Sequence, residues 1–588
     1  MRLFKWGSFF ILVMIAAMIA PQASAVFENV DHVVINTMDW QEIYSAMFYS
    51  SLQSLSSDYI IEESRGYLLL ETLDKNKENI LLFESPANPY LRNFDNDLES
   101  KGFQVQKYTG YSNLNLDIAL ELEGIKRFII IDPRYSYNAV SVAPYAILGG
   151  YYVLFADNEK ISDIVGFLDS VEPEEIIIYG YVDREVTDAL ERFSPETINL
   201  GNRYENNIEI VKKFEETREF SQYILTNGKF IEPQFFTTTS PIVFIGNSNI
   251  PETTMEYLKG ADVKHAILIG NEIVDNALTL KSEAGMKIMV KFAKGINKVQ
   301  YSLDTIYLPE SSFEPVFREI SYNPLSNQLV VVIENTGDSP LMTRATYTIL
   351  YNNESVASLS DDSAYFIGGN SITTRTYDVN LSEYGDWGFK VSARMLYGED
   401  TGSLDNLLID ERDLEIISFD DRSKIEVVGI YYDTSIKRFI LTIKNIGDKP
   451  VYVLPQIIDI MINNKLESLT GELTIIEPGD KQKLKIKARL SPEDFEDNSM
   501  ISLRIQYGDN EDRLVKRREI ETEFKKHNYR NNIYIGAGAA LLLGIILAVV
   551  LGRRRKHNKR RKRQSFDNHE TARSHNNKNI PPPPKRDY

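Results

Sequence analysis

Residues 127–190 read RFIIIDPRYSYNAVSVAPYAILGGYYVLFADNEKISDIVGFLDSVEPEEIIIYGYVDREVTDAL, and this stretch indicates the fold of the N-terminal half. Its three apolar runs, RFIIID, YYVLFAD and EIIIYG, are almost continuously hydrophobic rather than alternating. Such runs are typical of strands buried on both faces of a parallel sheet. Segments with helical periodicity separate them, so the stretch predicts an α/β fold with helices on both faces of the sheet.

The same pattern recurs on both sides of this stretch. Residues 221–278 repeat the order strand, loop, strand, helix, strand, and residues 39–85 form a shorter, degenerate first copy. The predicted strands are 33–36, 79–85, 127–132, 151–157, 175–180, 223–227, 241–246 and 266–270. The predicted helices between them include 40–55, 162–171, 206–216 and 251–259. Three tandem copies predict one α/β repeat module over residues 26–300.

Several motifs of this module resemble a known family. They are GNRYENNIEIV at 201–211, the small-residue helix NAVSVAPYAIL at 138–148, and the strands that end in Gly180 and Gly270. Together they resemble the cell-wall-binding type 2 repeat of bacterial and archaeal surface proteins. The resemblance covers about 250 residues. It implies a compact module of three repeats, with an expected role in holding anionic wall polymers.

The chain also departs from the family pattern. Arg203, Tyr204 and Glu205 fit the family's G-x-x-R-Y-x-T helix opening, but Asn206 replaces the Thr and the Gly–Arg spacing is one residue short. Asn138 replaces a usual Asp. Since the surrounding chain is strongly acidic, an anionic ligand requires a local basic cluster or bridging cations. The fold is therefore expected to carry over more readily than the ligand.

A second internal repeat appears when the chain is aligned with itself at an offset of 110 residues. QLVVVIENTGDSP at 328–340 then falls on RFILTIKNIGDKP at 438–450. Without a gap the alignment continues over Tyr322/Tyr432, Asn353/Asn463, Leu359/Leu469, Gly369/Gly479, Ser392/Ser502, Arg394/Arg504, Tyr397/Tyr507 and Gly398/Gly508. Alternating strands and Gly/Pro turns predict two β-sandwiches, at 313–417 and 424–525. They resemble the immunoglobulin-like adhesion-type domains of prokaryotic surface proteins, and a stalk is the favoured interpretation over ligand binding.

The two ends of the chain predict its location. Residues 533–552, IYIGAGAALLLGIILAVVLG, contain no charge and are long enough for one transmembrane helix. RRRKHNKRRKR follows at once, which predicts a basic, disordered cytoplasmic tail over 553–588. PPPP near its end is a polyproline ligand or a spacer, and the spacer is the favoured interpretation. At the other end, a charged segment, a short apolar run and ASA at 23–25 predict a signal peptide over 1–25. We therefore expect a single-pass cell-membrane protein with its N-terminal domains outside.

Small residues recur every four positions in the predicted membrane helix: Gly536, Ala540, Gly544, Ala548 and Gly552. This spacing places them on one helix face, where a second helix can approach closely. The pattern is compatible with homo-oligomerisation through the membrane segment, but small residues are common in anchors and that interpretation is favoured.

Two N-x-S tripeptides lie in the first predicted sandwich, at Asn353 and Asn380. Both are candidate N-glycosylation sites. Chance also accounts for two such tripeptides in a chain of this length.

Charge and composition exclude several classes of function. The tail carries +10 and the predicted signal peptide +2 of an overall −19, so residues 26–532 carry −31. Nucleic acid is a poor partner for such an exterior, while divalent cations remain an alternative. The chain has no cysteine and few histidines, and it lacks the common catalytic and nucleotide-binding motifs. No catalytic residue, metal site or cofactor is therefore predicted.

The predicted function is that of a non-enzymatic prokaryotic surface protein, archaeal in particular. Its α/β module is expected to stand on an immunoglobulin-like stalk and to bind an envelope polymer or a surface-layer protein. One alternative is an adhesin or receptor-like protein for an external glycan or protein. A less favoured alternative is a surface glycan or peptide hydrolase with a pair of carboxylates in the α/β module.

Overall fold

The structure, a computed structural model, describes residues 27, 29–108, 113–122, 124–296, 299–309, 311–384 and 388–527. The predicted signal peptide, membrane helix and basic tail lie outside these residues. Within them, every helix is too short or too polar to cross a membrane.

Three four-stranded parallel sheets form the N-terminal half, which confirms the predicted α/β repeats. The first repeat contains β1 His32–Asn36, α1 Trp40–Leu52, β2 Ser56–Tyr59, α2 Glu63–Thr72, β3 Asn79–Glu84, α3 Phe94–Ser100, β4 Gln104–Tyr108 and α4 Leu114–Glu121. The second contains β5 Arg127–Ile131, α5 Tyr137–Gly149, β6 Tyr151–Phe155, α6 Ile161–Val171, β7 Glu175–Tyr179, α7 Arg184–Leu190, β8 Glu196–Ile198 and α8 Arg203–Thr217. The third contains β9 Tyr223–Thr226, β10 Phe230–Ile231, β11 Ile242–Phe244, α9 Glu252–Gly260, β12 His265–Ile269, α10 Asn276–Glu283 and β13 Lys287–Lys291.

The strand orders are β2-β1-β3-β4, β6-β5-β7-β8 and β11-β9-β12-β13, so the three sheets share one topology. The first repeat is therefore a full copy, and the prediction of a degenerate copy over 39–85 was wrong. β2 was expected after α1 but without bounds, and β4 was missed. Both lie at the edges of their sheet, where SSDY and QVQKY are largely polar and partly exposed. Such strands lack the apolar run that indicates a buried parallel strand.

The third repeat has no helix after its first strand. A 3-10 turn, Pro233–Phe236, takes the place that α1 and α5 hold in the other repeats. The ring of Phe236 lies 5.2 Å from that of Tyr44 in α1. The Tyr44 hydroxyl also donates to the carbonyl of Ala139 in α5, at 3.0 Å. The three repeats therefore meet around equivalent segments.

Two junctions between the repeats use the same polar contact. The last helix of one repeat places an asparagine against the edge strand of the next, Asn115 against β6 and Asn207 against β11. Asn115 donates to Val153 O at 2.9 Å and accepts from Phe155 N at 3.0 Å. Asn207 donates to Ile242 O at 3.0 Å and accepts from Phe244 N at 2.8 Å. Each amide therefore pairs the backbone groups that an edge strand leaves open.

A short connector leads from the α/β module to the sandwiches, with β14 Ala293–Ile296, β15 Val299–Ser302 and β16 Ile306–Tyr307. β16 pairs with β10 of the third repeat. Tyr59, in the first repeat, donates its hydroxyl to the carbonyls of Ile231 and Asp304. The connector therefore ties the third repeat to the first.

The C-terminal half forms two β-sandwiches, as predicted, each with its own core. The first contains β17 Pro315–Asn323, β18 Gln328–Asn335, β19 Leu341–Tyr351, β20 Glu354–Ser360, β21 Tyr365–Ile367, β22 Ser371–Asp378, β23 Phe389–Gly398, β24 Asn406–Asp413 and β25 Glu415–Ile416. The second contains β26 Ile425–Asp433, β27 Arg438–Asn445, β28 Val451–Ile462, β29 Lys465–Thr470, β30 Thr474–Ile476, β31 Lys481–Lys487, α11 Asp494–Asp497, β32 Ile501–Gly508, β33 Lys516–Thr522 and β34 Lys525–His527. The strand order of the two pairs of sheets is the same.

The 110-residue offset holds in the backbone as well. β17 carries a register shift between Phe317 and Glu319, and β26 carries one between Val427 and Gly429. The offset fails at two places. β30 and β31 correspond to β21 and β22 at 109 positions. At the hairpin that follows β28, that strand contains an extra residue at Asp459, with φ 55°. The turn residues are consequently 352–353 in the first sandwich and 463–464 in the second. The gapless alignments of residue 353 with 463 and of residue 369 with 479 were therefore each wrong by one position.

The asparagine of the shared N-x-G-D-x-P motif has a clear structural role. Asn335 and Asn445 have no exposed surface, and each side chain bonds three backbone groups around the turn. Asn335 donates through Nδ2 to Ser339 O at 2.8 Å and Gly368 O at 3.1 Å, and its Oδ1 accepts from Gly337 N at 3.2 Å. Asn445 donates through Nδ2 to Lys449 O at 2.7 Å and Ile476 O at 2.8 Å, and its Oδ1 accepts from Gly447 N at 2.8 Å. The motif therefore fixes the turn to a neighbouring segment of the same sandwich.

Asn335→Ala and Asn445→Ala are each expected to lower the free energy of unfolding of their own sandwich by about 2 kcal/mol, because buried backbone groups lose their partners. Urea denaturation followed by near-UV circular dichroism measures this. Asn380→Ala, at an exposed position of the first sandwich, is the control and should change stability by less than about 0.5 kcal/mol. An equally small loss in the two motif variants would contradict the assigned role.

Equivalent loops join each sandwich to the domain before it. Residues 399–405 link β23 to β24, and their Asp405 carbonyl accepts from Ser248 N at 3.0 Å in the third α/β repeat. Residues 509–515 link β32 to β33, and their Arg513 pairs with Glu319 of the first sandwich at 2.9 Å. The same loop of each sandwich therefore contacts the domain that precedes it.

Candidate functional site

The second α/β repeat contains the position at which doubly wound sheets bind ligands. In the order β6-β5-β7-β8, the connection that leaves β5 leads to β6 and the connection that leaves β7 leads to β8, so the two run in opposite directions along the sheet. The carboxyl ends of those two strands therefore border a crevice. Asp132 and Arg134 follow β5, and Gly180 and Asp183 follow β7.

Both sandwiches reach over this crevice and leave a cleft of about 710 Å³. This volume lies within the range of ordinary ligand sites. Three domains form its polar and aromatic walls. The α/β module contributes Tyr137, Asn138, Tyr181, Arg203 and Glu205, the first sandwich contributes Phe313, Phe366, Glu399 and Asp400, and the second contributes Asp459, Lys465 and Glu467. The cleft therefore exists only in the assembled chain.

Asn138 and Gly180 lie side by side in the wall of the cleft. Gly180 has φ 76°, and a Cβ atom there would lie 2.4 Å from Nδ2 of Asn138. Only glycine leaves the amide this room. Asn138 is 2% exposed, and its Nδ2 is buried without a hydrogen-bond partner. A buried donor of this kind is costly unless a ligand or water supplies an acceptor.

Tyr137 and Tyr181 form the aromatic part of the wall, and Tyr135 packs beside both. The ring of Tyr135 lies 6.2 Å from that of Tyr137 and 6.0 Å from that of Tyr181. Lys465, from the second sandwich, lies 4.8 Å from the centre of the Tyr135 ring and 3.2 Å from its hydroxyl oxygen. The flat aromatic faces and their hydroxyls suit a ligand that has both apolar and polar surfaces.

The charge of the cleft is negative. Its carboxylates outnumber its cations, and both cations have a partner, since Arg203 pairs with Asp405 and Lys465 lies 3.6 Å from Glu399. Burial, together with the nearby Glu399, raises the pKa of Asp400 to about 6. In the described residues, His, Asp and Glu side chains form no group of three that suits a metal ion.

One side of the cleft is closed by a buried contact between domains. Asp405, 2% exposed, accepts hydrogen bonds from Arg203 and from the hydroxyl of Tyr204, the latter at 2.8 Å. Asn202 caps α8 by accepting from Tyr204 N at 3.0 Å, which fixes both side chains at the start of the helix. The Arg–Tyr pair that resembles the family's helix opening thus holds the first sandwich in place.

A second contact joins the same repeat to the second sandwich. Arg184 reaches Asp494 at 3.2 Å and Asp497 at 2.5 Å, and its backbone N–H donates to Asn463 Oδ1 at 2.7 Å. Asn463 also donates to Asp183, which pairs with Arg134. The second repeat is therefore fixed between the two sandwiches.

The residues predicted as sites lie elsewhere. Asn353 is exposed in the turn between β19 and β20, and Asn380 is exposed after β22. Neither lines the cleft, and glycosylation of either stays a prediction. The residues Gly536, Ala540, Gly544, Ala548 and Gly552 lie outside the described part of the chain. Sequence reasoning noticed Asn138 only as a departure from the family and missed Asp400 and Glu467.

The raised pKa of Asp400 predicts a pH-dependent stability. Below about pH 3 the carboxyl is protonated in both the folded and the unfolded chain and has no effect. As the pH rises towards 6, the unfolded chain ionises first, so folding loses stability. Asp400→Asn is expected to gain about 3 kcal/mol above pH 6 and nothing below about pH 3.

Thermal denaturation of Asp400→Asn at a series of pH values measures this gain. Asp362→Asn, at an exposed position of the same sandwich, is the matched control and should give no such trend. If the stability gained by Asp400→Asn does not vary with pH, the pKa of Asp400 is not raised in the folded chain.

No family model matches the chain. Over 197 residues it is 24% identical to the amidase enhancer of Bacillus subtilis, a match that covers 31% of this chain and 26% of that protein. Among solved structures, Cwp8 from Clostridium difficile has a TM-score of 0.37 and 15% identity, over 44% of this chain and 48% of Cwp8. Red sea bream transglutaminase has a TM-score of 0.14 and 9% identity, over 44% of this chain and 34% of that protein. The chain thus spans about a quarter of the amidase enhancer and about half of Cwp8.

Proposed function

We propose that this protein is a non-enzymatic, single-pass cell-surface protein that binds a polymer of the cell envelope in the cleft between its α/β module and its two sandwiches. The observation that carries the proposal is the buried, unpartnered amide of Asn138 in the wall of a cleft of about 710 Å³. The match to the amidase enhancer supports an envelope setting for part of the chain.

The sandwiches serve as a stalk in this proposal. They dock through buried ion pairs rather than through a bare linker, so they fix the orientation of the α/β module. The predicted membrane helix at 533–552 and the basic residues after it would hold the stalk at the cell surface.

Retention of the purified full-length protein by isolated envelope material tests the proposal. Wild type is expected to sediment with the material, whereas Asn138→Asp should be lost because it replaces the free donor with a carboxylate. Tyr181→Ala gives a second variant at a less buried position. Asn380→Asp makes the same chemical change outside the cleft and should leave retention unchanged.

Two results would replace the proposal. Retention only by foreign glycans or cells would favour an adhesin or receptor-like protein. Turnover of an envelope glycan or peptide, abolished by Asp400→Asn, would favour a hydrolase, since a carboxyl with a pKa of about 6 beside other carboxylates suits a general acid.

A further inference from the structure

We infer that the cleft binds an amino-sugar unit of a glycan, with the ammonium group among the carboxylates and a hydroxyl oxygen on the amide of Asn138. This inference rests on the proposed function and names the chemistry of its ligand.

The charge of the cleft excludes an anionic unit. Glu205, Asp400, Asp459 and Glu467 all line it, and in the part of the chain that the structure describes none of them has a lysine or arginine within ion-pair distance. Arg203 and Lys465 are already paired, so neither is free to receive an anion. A positively charged group gains from these carboxylates, whereas an anion meets repulsion on most sides.

A ligand that carries only a positive charge would leave the amide of Asn138 without a hydrogen-bond partner. Nδ2 of Asn138 is a donor, so it needs an oxygen acceptor, which an ammonium group lacks. The rings of Tyr137 and Tyr181 add flat surfaces with hydroxyl groups beside this amide. A ligand that offers an acceptor oxygen, an apolar ring face and an ammonium group within one unit meets all three demands. An amino sugar is such a unit.

The carboxylates come from different domains, which gives the inference a structural control. Glu205 stands on α8, Asp400 on the loop of the first sandwich, and Glu467 on β29 of the second. Glu467 is exposed, so Glu467→Gln removes one charge from the cleft without affecting a core. Glu472→Gln removes the same charge from an exposed position of the same sandwich outside the cleft.

Isothermal titration of the full-length protein with a β-1,4-linked glucosamine tetramer tests this. We expect the tetramer to bind about tenfold more tightly than its fully N-acetylated form, and the preference to shrink as salt is added. Glu467→Gln should weaken binding of the glucosamine tetramer about fivefold and leave the acetylated form unaffected. Glu472→Gln should bind both tetramers like wild type.

The outcomes separate the inference from the proposed function. Equal affinity for the two tetramers, or tighter binding of an anionic polymer such as polygalacturonate, overturns the amino-sugar inference even if envelope material still retains the protein. Binding of a lysine-rich peptide but of neither tetramer also overturns it. If envelope material does not retain the wild-type protein, the proposed function itself is contradicted.

Discussion

Asp405→Ala is expected to lower the free energy of unfolding by about 3–5 kcal/mol and to loosen the α/β module from the first sandwich. The side chain of Asp405 is 3% exposed and that of its partner Arg203 is 11% exposed. Removal of the carboxylate leaves a guanidinium in the interior without a counter-charge, and the Tyr204 hydroxyl loses its acceptor. Breaking a buried pair from one side is among the most destabilising single changes.

Chemical denaturation of the full-length protein measures this loss, and limited proteolysis between the connector and the first sandwich reports the loosening. Glu519→Ala is the matched control, because Glu519 pairs with Arg504 at 2.7 Å but is 50% exposed. A surface pair of this kind contributes at most about 1 kcal/mol. If Asp405→Ala costs no more than Glu519→Ala, the contact does not hold the domains together.

The fold of each half follows closely from sequence patterns, but only where burial is complete. Continuous apolar runs such as RFIII at β5 and YYVLF at β6 are buried on both faces, and their strands were predicted correctly. ETI at β8 and KIMVK at β13 form sheet edges with exposed positions, so they carry no comparable signal and were missed. The strand order of the first repeat could not be predicted because its two edge strands, β2 and β4, also lack an apolar run.

The repeated sandwich was predictable because both copies meet the same local demands. A buried Asn must bond its turn at residues 335 and 445, and the same register shift recurs 110 positions apart. The extra residue at Asp459 left no trace in the aligned letters, since a bulge changes the register of pairing rather than the pattern of hydrophobic residues. A gapless alignment therefore fails at this hairpin and again at β30 and β31, which follow β21 and β22 at 109 positions.

The cleft lay beyond sequence reasoning because its residues are distant in the chain. Arg203 and Asp405 are 202 positions apart, and each looks like an ordinary charged residue in its own segment. The resemblance to cell-wall-binding repeats drew attention to Arg203 and Tyr204, but it gave no hint that a sandwich loop would bind them. An unpartnered amide such as that of Asn138 becomes visible only when its whole surroundings are known.

Asn207→Ala and Asn115→Ala are each expected to lower the free energy of unfolding of the α/β module by about 3 kcal/mol. Asn207 is 1% exposed and Asn115 is 5% exposed, and each pairs an N–H and a C=O of a buried edge strand. Each amide also bonds a serine of the preceding central helix, Ser141 at 2.8 Å and Ser45 at 3.1 Å. Truncation leaves these groups buried without partners, since neither junction opens directly to solvent.

Urea denaturation of the full-length protein, followed by tyrosine fluorescence, measures both losses. Lys212→Ala, at a position of α8 whose side chain is 53% exposed, is the control and should cost less than about 0.5 kcal/mol. Because the two asparagines serve different junctions, the double variant should lose about the sum of the single losses. A loss in only one of them would show that the repeats are joined by unequal contacts, and a loss in neither would contradict the role of these amides in closing the edge strands.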